Sequence, residues 1–396
     1  FAGKTITMIS STPTVSTTAG DHGTHVASTA TGVIGATTHG VAPDADIAYS
    51  YFNDSSGGKS ITLNRAEALD SARINNSAIA SNNSWGPCDA VSGPNCTSAY
   101  TYTELATEAA NNGRNIREQF AALNGGTTDA ATYITAMDNF QDSGVIVYAN
   151  SNFSSDTDAS YFAALPFYFN GITDSVDLSD AWISVMYAEF TGTSLSGAST
   201  SDFSRKGNPC GSAKEWCLVV DDTSIAAAGW VDSSNVSQYS IMGGSSMGAP
   251  QVSGMVALLS QAFPSHTPAQ LTDRLLASAN NAWFSPSGNT TFTTHGASIK
   301  HGYNNEWGHG VPDLEAALSP ITANMNPLSF GFTRPLGSGG SGGSSSGSVP
   351  FSQVEKLPVS FTAMKISSSL GDGIMNGLKN KTAYAYDALN GGFEYN

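Results

Sequence analysis

The sequence is poor in basic side chains. Only 12% of its 396 residues are charged, and 16 Lys and Arg stand against 32 Asp and Glu, so the net charge is −16. A phosphate backbone is bound by clustered Lys and Arg, and we therefore expect no nucleic-acid partner. An acidic composition with many Ser, Thr, Asn and Gly residues is typical of exported bacterial proteins.

Long apolar runs are also missing. None approaches the roughly 18 residues of a membrane-spanning helix. Phe1-Ala2-Gly3-Lys4 lacks the basic and apolar regions of a signal peptide, so an exported form would already have lost its signal. The hydrophobic content of 40% still suffices for one large domain with a thick core plus an appendage.

Cysteine is scarce, and the four cysteines form two close pairs, Cys88 with Cys96 and Cys210 with Cys217. Neither pair has the spacing or the histidine partners of a zinc site. We expect a disulfide within each pair, at the protein surface, where each would close a short loop and contribute about 2–3 kcal/mol. Such disulfides indicate an oxidising compartment.

Short apolar runs alternate with helical patterns up to residue 318, which is typical of a parallel α/β sheet. The runs predict strands at 45–50, 143–148 and 181–186. A long polar helical region, 102–142, precedes the second of these strands.

Two further helices follow near the end of this region. The apolar spacing predicts one from Pro250 to Phe263. The next has Thr267 as its N-cap and Pro268 at its first helical position. Residues 337–348, GSGGSGGSSSGS, cannot bury a core and form a linker. We therefore divide the chain into a domain at 1–318 and a linker with an extension at 319–396.

A candidate nucleophile, Ser246, lies in GGSSMGAPQVSGMVALL at 243–259. A helix beginning at about Met247 would point its amides toward a reacting carbonyl oxygen. An ordinary helix N-cap is the alternative interpretation of this serine. Ser194 stands in a similar turn, but a polar run follows it instead of an apolar helix, and we reject it.

Two histidines, His22 and His25, lie in GDHGTHVAS. Paired zinc histidines on a helix need i,i+4 spacing and an adjacent Glu, and neither is present, so we expect no metal. His22 at the helix start has access to a cleft, whereas His25 is typical of a packed helix residue. Asp21 could cap this helix but is poorly placed to orient the imidazole of His22.

Three separate motifs, in the same order, resemble those of the subtilisin-like serine proteases. They are His22-Gly23-Thr24-His25-Val26-Ala27, Gly40-Val41-Ala42-Pro43, and Gly244-Ser245-Ser246-Met247-Gly248-Ala249-Pro250. The last departs from the family pattern at Ser245, where Thr is usual, and at Gly248, where Ala is usual. The resemblance implies a three-layer α/β fold, with a mostly parallel central sheet and helices on both faces. It implies a serine endopeptidase without a cofactor that acts on proteins or peptides, with His22 as base and Ser246 as nucleophile.

The same resemblance implies a substrate-binding site. Ser84-Trp85-Gly86 is similar to the family strand that forms one wall of the pocket for the residue before the cleaved bond. Ala149-Asn150-Ser151-Asn152 is similar to the strand end whose Asn donates to the oxyanion. This places the donor at Asn152, or at Asn150 if the register is two residues off.

Features of the second half resemble the subtilisin-like passengers of bacterial autotransporters. These features are the pair Cys210/Cys217, the segment 164–168 and the Gly-rich linker. Trp307 to Asp313 fits the family's final helix start. We therefore expect an exported protein, extracellular or at the bacterial cell surface, with attachment to the outer membrane or surface through its C-terminal extension.

The carboxylate that should orient His22 is not evident. In the family it lies on a strand further upstream, and Asp21 is the one Asp that precedes His22. Three explanations stay open: a cleaved chain whose N-terminal fragment remains bound, a shortened chain, or an inactive relative. We expect a bound fragment of the same precursor that carries this Asp.

Two other functions compete with proteolysis. Gly244-Ser245-Ser246-Met247-Gly248 satisfies the G-x-S-x-G motif of α/β-hydrolase esterases, which would need Asp273 with a downstream histidine, His295, His301 or His309. A catalytically impaired surface or assembly protein built on a protease fold is the other alternative.

Overall fold

The structure is a computed structural model. It describes residues 1, 3–9, 22–51, 53–89, 96–172, 176–231, 234, 236–294, 298–319, 321, 383–386 and 392–395. The predicted linker at 337–348 and Asp21 lie outside the described residues.

Thirteen strands and nine α-helices are described, in addition to short 3₁₀ turns. The strands are β1 (Ile6–Met8), β2 (Ile47–Tyr49), β3 (Ala80–Asn83), β4 (Val145–Ala149), β5 (Trp182–Phe190), β6 (Phe203–Arg205), β7 (Cys217–Asp221), β8 (Ile225–Val231), β9 (Ser237–Met242), β10 (Gly288–Phe292), β11 (Ile299–Tyr303), β12 (Ala383–Tyr386) and β13 (Gly392–Tyr395). The helices are α1 (His22–Thr31), α2 (Ile61–Asn76), α3 (Tyr102–Asn111), α4 (Ile116–Leu123), α5 (Thr127–Gln141), α6 (Leu165–Tyr168), α7 (Ser245–Ala262), α8 (Pro268–Ala277) and α9 (Leu314–Leu318).

The central sheet is mostly parallel, as predicted. Strands β3, β4, β5 and β7 are neighbours in that order and run parallel, and β6 pairs antiparallel with the end of β5. All five residues of β4 are buried, because helices cover both faces of such a sheet. The three strands expected from the sequence are all present, shifted by two residues or less at their starts.

A second, two-stranded sheet stands apart from the first. Strand β1 pairs in parallel with β2, from Ile6 opposite Ile47 to Met8 opposite Tyr49. Within the described residues, no ladder joins β2 to β3. Strands β2 and β3 therefore each have one edge without a partner strand in the described chain.

Helix α7 is the central helix of the domain. It contacts β3, β4, β5 and β7 as well as α1. Gly254 allows the close approach to α1, because a Cβ there would lie 2.6 Å from Val41 Cβ and 3.2 Å from Ala30 O. The buried apolar face includes Val252, Val256 and Leu259, which are fully buried.

The polar region expected to be helical at 102–142 is three helices, α3 to α5. Gly113, Gly125 and Gly126 separate them, and all three adopt positive φ, which ends a helix at little cost for glycine. Capping boxes begin α3 at Thr101 and α4 at Asn115. The predicted cap at Thr267 of α8 is confirmed and forms the same motif.

Both predicted disulfides are present, Cys88–Cys96 and Cys210–Cys217. The expected surface position is wrong for the second pair, because Cys210 and Cys217 are fully buried. Cys217 begins β7, a strand of the central sheet, and the pair packs in a cluster that includes Met186 and Trp307.

The chain divides into two compact units. One comprises Phe1–Thr290 and His301–Leu318, and the other comprises Thr291–Lys300 and Ser319–Asn396. In the second unit, β12 and β13 form an antiparallel pair. None of the described helices combines the length and the apolarity that crossing a bilayer requires. The domain boundary at residue 318 stays a prediction.

Candidate active site

Polar residues collect at one edge of the central sheet. Ser84 follows β3, Asn150 follows β4, and Asp222 follows β7. The carboxyl ends of parallel strands meet at one edge, where α/β folds bind their ligands. Helix α7, which carries Ser246, contacts all three strands. The strand ends and the start of this helix therefore form the candidate site.

Ser246 is the second residue of α7, which begins two residues earlier than the sequence indicated. Gly244 is the N-cap with a φ of 128°, and its Cβ would lie 3.0 Å from the amide of Asn152, so glycine suits both the conformation and the space. Ser246 is half-buried, and its hydroxyl donates to the carbonyl oxygen of Ser84 at 3.3 Å.

Asn152 contacts the turn that carries the nucleophile candidate. Its Oδ1 accepts from the backbone N–H of Ser245 at 2.7 Å and from the Ser245 hydroxyl at 2.9 Å. A backbone N–H can only donate, so Oδ1 must face it, and Nδ2 remains available as a donor.

A second donor lies in the same turn. The amide of Gly244 bonds to Asp222 O, and that of Met247 bonds to Gly244 O. No hydrogen bond involves the amide of Ser246 in the described part of the chain, as expected for the first turn of a helix. The turn therefore offers an amide donor next to the Ser246 hydroxyl.

Asn150 has a different environment. It is fully buried, and its Nδ2 donates to Pro209 O at 2.7 Å and to Asn208 O at 3.3 Å. Its Oδ1 accepts from the amide of Ser160 at 3.1 Å. These bonds use the side-chain amide within the core, so the geometry favours Asn152 as the oxyanion donor, which stays a prediction.

Ser151, between these two asparagines, adopts a φ of 94°. This is the conformation that favours glycine, the residue usual at this position in the family motif. Its amide donates to the Ser245 hydroxyl at 3.1 Å, which helps to hold the conformation. The strand end is therefore strained next to the candidate nucleophile.

A hydrogen-bond chain joins β3 to α7. The Ser84 hydroxyl donates to Ser246 O at 2.8 Å and accepts from Asn82 Nδ2 at 2.9 Å. Asn82 Oδ1 in turn accepts from the Ser253 hydroxyl at 3.2 Å. This chain fixes the predicted substrate wall relative to the serine turn.

The side chain of Trp85 faces the core side of that wall. Its ring lies 5.0 Å from the ring of Phe162 and 5.2 Å from that of Tyr148, and the Arg65 guanidinium lies 3.8 Å from its centroid. At Gly86, an added Cβ would be 3.7 Å from Ser160 Oγ. The backbone of this segment, with Ala149 opposite on β4, is therefore available as the predicted wall of a substrate cleft.

His22 is the first residue of α1 and is exposed. Helix α1 packs against α7 and β8. Ala30 of α1 contacts Gly254 of α7. His22 precedes Ala30 by eight residues, and Ser246 precedes Gly254 by eight residues. Both predicted catalytic side chains thus lie in the first turns of two helices that pack together.

His25 is a packing residue, as the sequence indicated. It is fully buried, and its Nε2 lies 3.0 Å from Ile225 O and 3.2 Å from Ser240 O. Carbonyl oxygens only accept, so Nε2 carries the proton. Burial lowers the pKa of His25, which keeps the ring neutral while it holds α1 against β8 and β9.

The histidines proposed for an esterase are engaged elsewhere. His301 Nδ1 and His309 Nδ1 are 2.9 Å apart, and their Nε2 atoms lie at Ala279 O and Glu215 O. Burial lowers the pKa of His309 to about 3, and the neighbouring His301 adds to this. The nitrogens of these two rings contact each other and backbone oxygens, so neither ring is placed as a general base for Ser246. His295 lies outside the described residues.

Asp222 is a site residue that the sequence interpretation missed. It is fully buried after β7, and no hydrogen bond to either carboxyl oxygen is present among the described residues. Burial raises its pKa well above the ordinary range for Asp, and the Asp221 carboxylate adds to the rise. The signal that could have revealed it is Gly248, where the family pattern has Ala.

The sequence matches the model of the Subtilase family, Peptidase_S8, over residues 8–310. No curated protein matches the sequence. The chain is similar to solved structures at low identity. A serine-to-alanine mutant of the PatA protease domain is 18% identical with a TM-score of 0.50, covering 80% of this chain and 86% of that one. This likeness shows the fold.

Two further similar structures have lower scores. The prenylagaramide maturation protease PagA is 19% identical with a TM-score of 0.48, covering 80% of this chain and 86% of that one. Fervidolysin from Fervidobacterium pennivorans is 21% identical with a TM-score of 0.45, covering 76% of this chain and 36% of that one.

Proposed function

Because the chain belongs to the subtilase family and is a subtilisin-like serine endopeptidase, we propose that Ser246 is its nucleophile and His22 its general base. The observation that carries the proposal is the start of α7. There a half-buried hydroxyl, the amide of Ser246 and the side-chain amide of Asn152 meet at the carboxyl edge of the sheet.

The reaction proceeds through an acyl-enzyme. Ser246 Oγ attacks the carbonyl carbon of the peptide bond while His22 takes the hydroxyl proton. The oxygen of the tetrahedral intermediate accepts hydrogen bonds from the Ser246 amide and from Asn152 Nδ2. His22 returns the proton to the leaving amine as the C–N bond breaks, and water, deprotonated by His22, then hydrolyses the ester.

The substrate is an extended segment of a protein or peptide. The ends of β3 and β4 present the backbone of Ser84–Gly86 and Ala149–Ser151, which pair with an extended chain as an added strand. The Ser84 contact with Ser246 O ties this wall to the nucleophile, so a bound strand is aligned with the hydroxyl.

The carboxylate that orients His22 comes from a strand seated between β2 and β3, on a fragment of the same precursor. The support is the pairing in the described residues, where β2 pairs with β1 alone and β3 with β4 alone. Both edges are partly exposed and present backbone groups that can pair with a further strand, and an added parallel strand would satisfy both. A fragment so bound would stay associated after cleavage.

The protein acts after export, outside the cell or at the bacterial surface. Two disulfides, one of them in the core, support folding in an oxidising compartment. The low charge content and net charge of −16 agree with this. The extension at 319–396, like that of the autotransporter passengers, provides attachment to the outer membrane or the surface.

The test is digestion of an unfolded protein substrate by the full chain, with sequencing of the new N-termini. The proposal expects cleavage that stops in the Ser246→Ala variant, while the circular dichroism spectrum of that variant is unchanged. Cleavage by the variant at the wild-type rate would overturn the assignment. A folded wild-type chain that cleaves nothing, even with its N-terminal fragment bound, would favour the non-catalytic surface protein.

A further inference from the structure

A buried acid lies directly behind the turn that carries Ser246. Asp222 is fully buried, and its backbone oxygen accepts from the amide of Gly244, the N-cap of α7. Its side chain lies beside the fourth residue of that helix, since a Cβ on Gly248 would be 2.6 Å from Asp222 Oδ2. One residue therefore contacts both ends of the first turn of α7.

The carboxyl group occupies space that a side chain at 248 would need. Besides Asp222 Oδ2, the added Cβ would lie 2.9 Å from Val185 Cγ1 and 3.3 Å from Val220 Cβ. Contacts below 3.0 Å to a fully buried group force a displacement, since interiors are close-packed. The glycine at 248 and the acid at 222 are thus sterically matched.

We propose that Asp222 is a positioning residue for the nucleophile, which sets the first turn of α7, and with it Ser246, by filling the space left at Gly248. The inference rests on the proposed role of Ser246. It explains why this chain departs from the family motif at 248, where the Cβ of the usual alanine would meet Asp222 and Val220.

The charge state of Asp222 follows from its surroundings. Burial raises its pKa and the Asp221 carboxylate adds to this, while the backbone amides of Asp222 and Gly248, which lie near the carboxyl group without reaching hydrogen-bond geometry, act in the opposite direction. On β5, burial raises the pKa of Tyr187, and an ionised Asp222 would raise it further. The first turn of α7 contains no acidic residue. Asp222 therefore fits its site as the neutral acid.

A pH dependence results. Because the pKa of Asp222 is higher in the folded than in the unfolded protein, the folded state binds more protons above pH ~4. Stability therefore falls as pH rises from ~4 through the folded-state pKa. The Asp222→Asn variant keeps the shape and removes the ionisation. We expect its melting temperature to exceed that of the wild type by an amount that grows from pH 4 to pH 9.

The kinetic counterpart is the alkaline side of the kcat profile. Ionisation of Asp222 disturbs the turn, so wild-type kcat should fall at high pH, and Asp222→Asn should shift this fall upward while leaving the acid side, set by His22, unchanged. Superimposable pH profiles of activity and stability for the two proteins would overturn the proposal.

Double substitutions test the steric match. We expect Gly248→Ala to lower kcat about tenfold and Asp222→Ala to recover most of that loss, a coupling of the size measured for residues in contact. Gly254→Ala is the control, because its Cβ is equally crowded, at 2.6 Å from Val41 Cβ, and its three nearest atoms belong to Val41 and Ala30 instead of Asp222. Asp222→Ala should not relieve it.

The melting temperatures of the same variants keep the test independent of activity. If the protein hydrolyses nothing, the proposed function fails, but Asp222→Ala and Gly248→Ala must still be non-additive in stability. The inference would be overturned if the stability losses of Asp222→Ala and Gly248→Ala were additive. It would also be overturned if Asp222→Ala restored the stability lost in Gly254→Ala as much as that lost in Gly248→Ala.

Discussion

The two halves of the candidate site are supported differently. On the serine side, Ser246, Asn152 and Ser84 lie on α7 and on two strand ends of one sheet, and hydrogen bonds connect their residues. On the histidine side, His22 begins α1, which lies between β1 and β2 in the sequence, and these two strands form a separate sheet. The candidate nucleophile is thus positioned by this chain's own sheet, whereas we propose that the base is oriented by a carboxylate on an additional strand.

The largest expected effect separates two adjacent serines. Ser246→Ala should reduce kcat by about 10⁶, because it removes the nucleophile. Ser245→Ala removes a hydroxyl whose hydrogen bonds, within the described residues, are to Asn152 and to the Ser151 amide, so most activity should remain. Rates of peptide hydrolysis for both variants check this. Equal losses of kcat in the two variants would contradict the assignment of Ser246, and not Ser245, as the nucleophile.

The second prediction tests the histidine side. A precursor that includes the upstream segment should yield a fragment bound to this chain, and Asp→Asn in its catalytic strand should lower kcat by about 10⁴, since the imidazole loses its orienting partner. Native mass spectrometry and hydrolysis rates provide the two measurements. If the chain without any fragment is fully active, the histidine side is as self-sufficient as the serine side.

The third prediction contrasts two asparagines of the serine side. Asn152→Ala should lower kcat by about 10²–10³ with little change in KM, because it removes one oxyanion donor. Asn150→Ala should instead lower the unfolding free energy by about 1–3 kcal/mol, because it leaves buried carbonyls unsatisfied. Kinetics and urea unfolding of both variants distinguish the roles. If Asn150→Ala lowered kcat and Asn152→Ala lowered stability instead, the oxyanion donor would be Asn150.

The difference between these asparagines could not be read from the sequence. Two residues apart on an extended strand, they point to the same side, so the pattern left both possible. The strand ends at Ala149, and the positive φ of Ser151 turns the chain, which sends Asn150 into the core and Asn152 to the helix start.

Local motifs predicted more than tertiary burial did. The His22 and Ser246 motifs, the parallel sheet and the N-cap of α8 depend on residues close in sequence, and each was evident. Burial of the Cys210–Cys217 disulfide depends instead on the position of β7 in the central sheet, which residues close in sequence do not indicate. Asp222 was missed because Asp-Asp-Thr-Ser after an apolar run is typical of a surface turn.

The smallest expected effect concerns backbone strain on the serine side. Ser151→Gly should raise the unfolding free energy by about 1 kcal/mol, because glycine adopts a φ of 94° without the cost that serine bears. The Ser245 contact is made by the backbone amide of Ser151, so kcat should change little. Thermal unfolding measures the gain, and a loss of stability would show that the conformation is not strained.

The most direct test of the central claim is labelling with a fluorophosphonate, followed by peptide mapping. The account predicts one modified residue, Ser246, with no labelling in Ser246→Ala and much slower labelling in His22→Ala. It also predicts that Ser245→Ala is still labelled. Modification of Ser245 or of a serine outside α7, or labelling that is unaffected by His22→Ala, would contradict a site in which His22 activates Ser246.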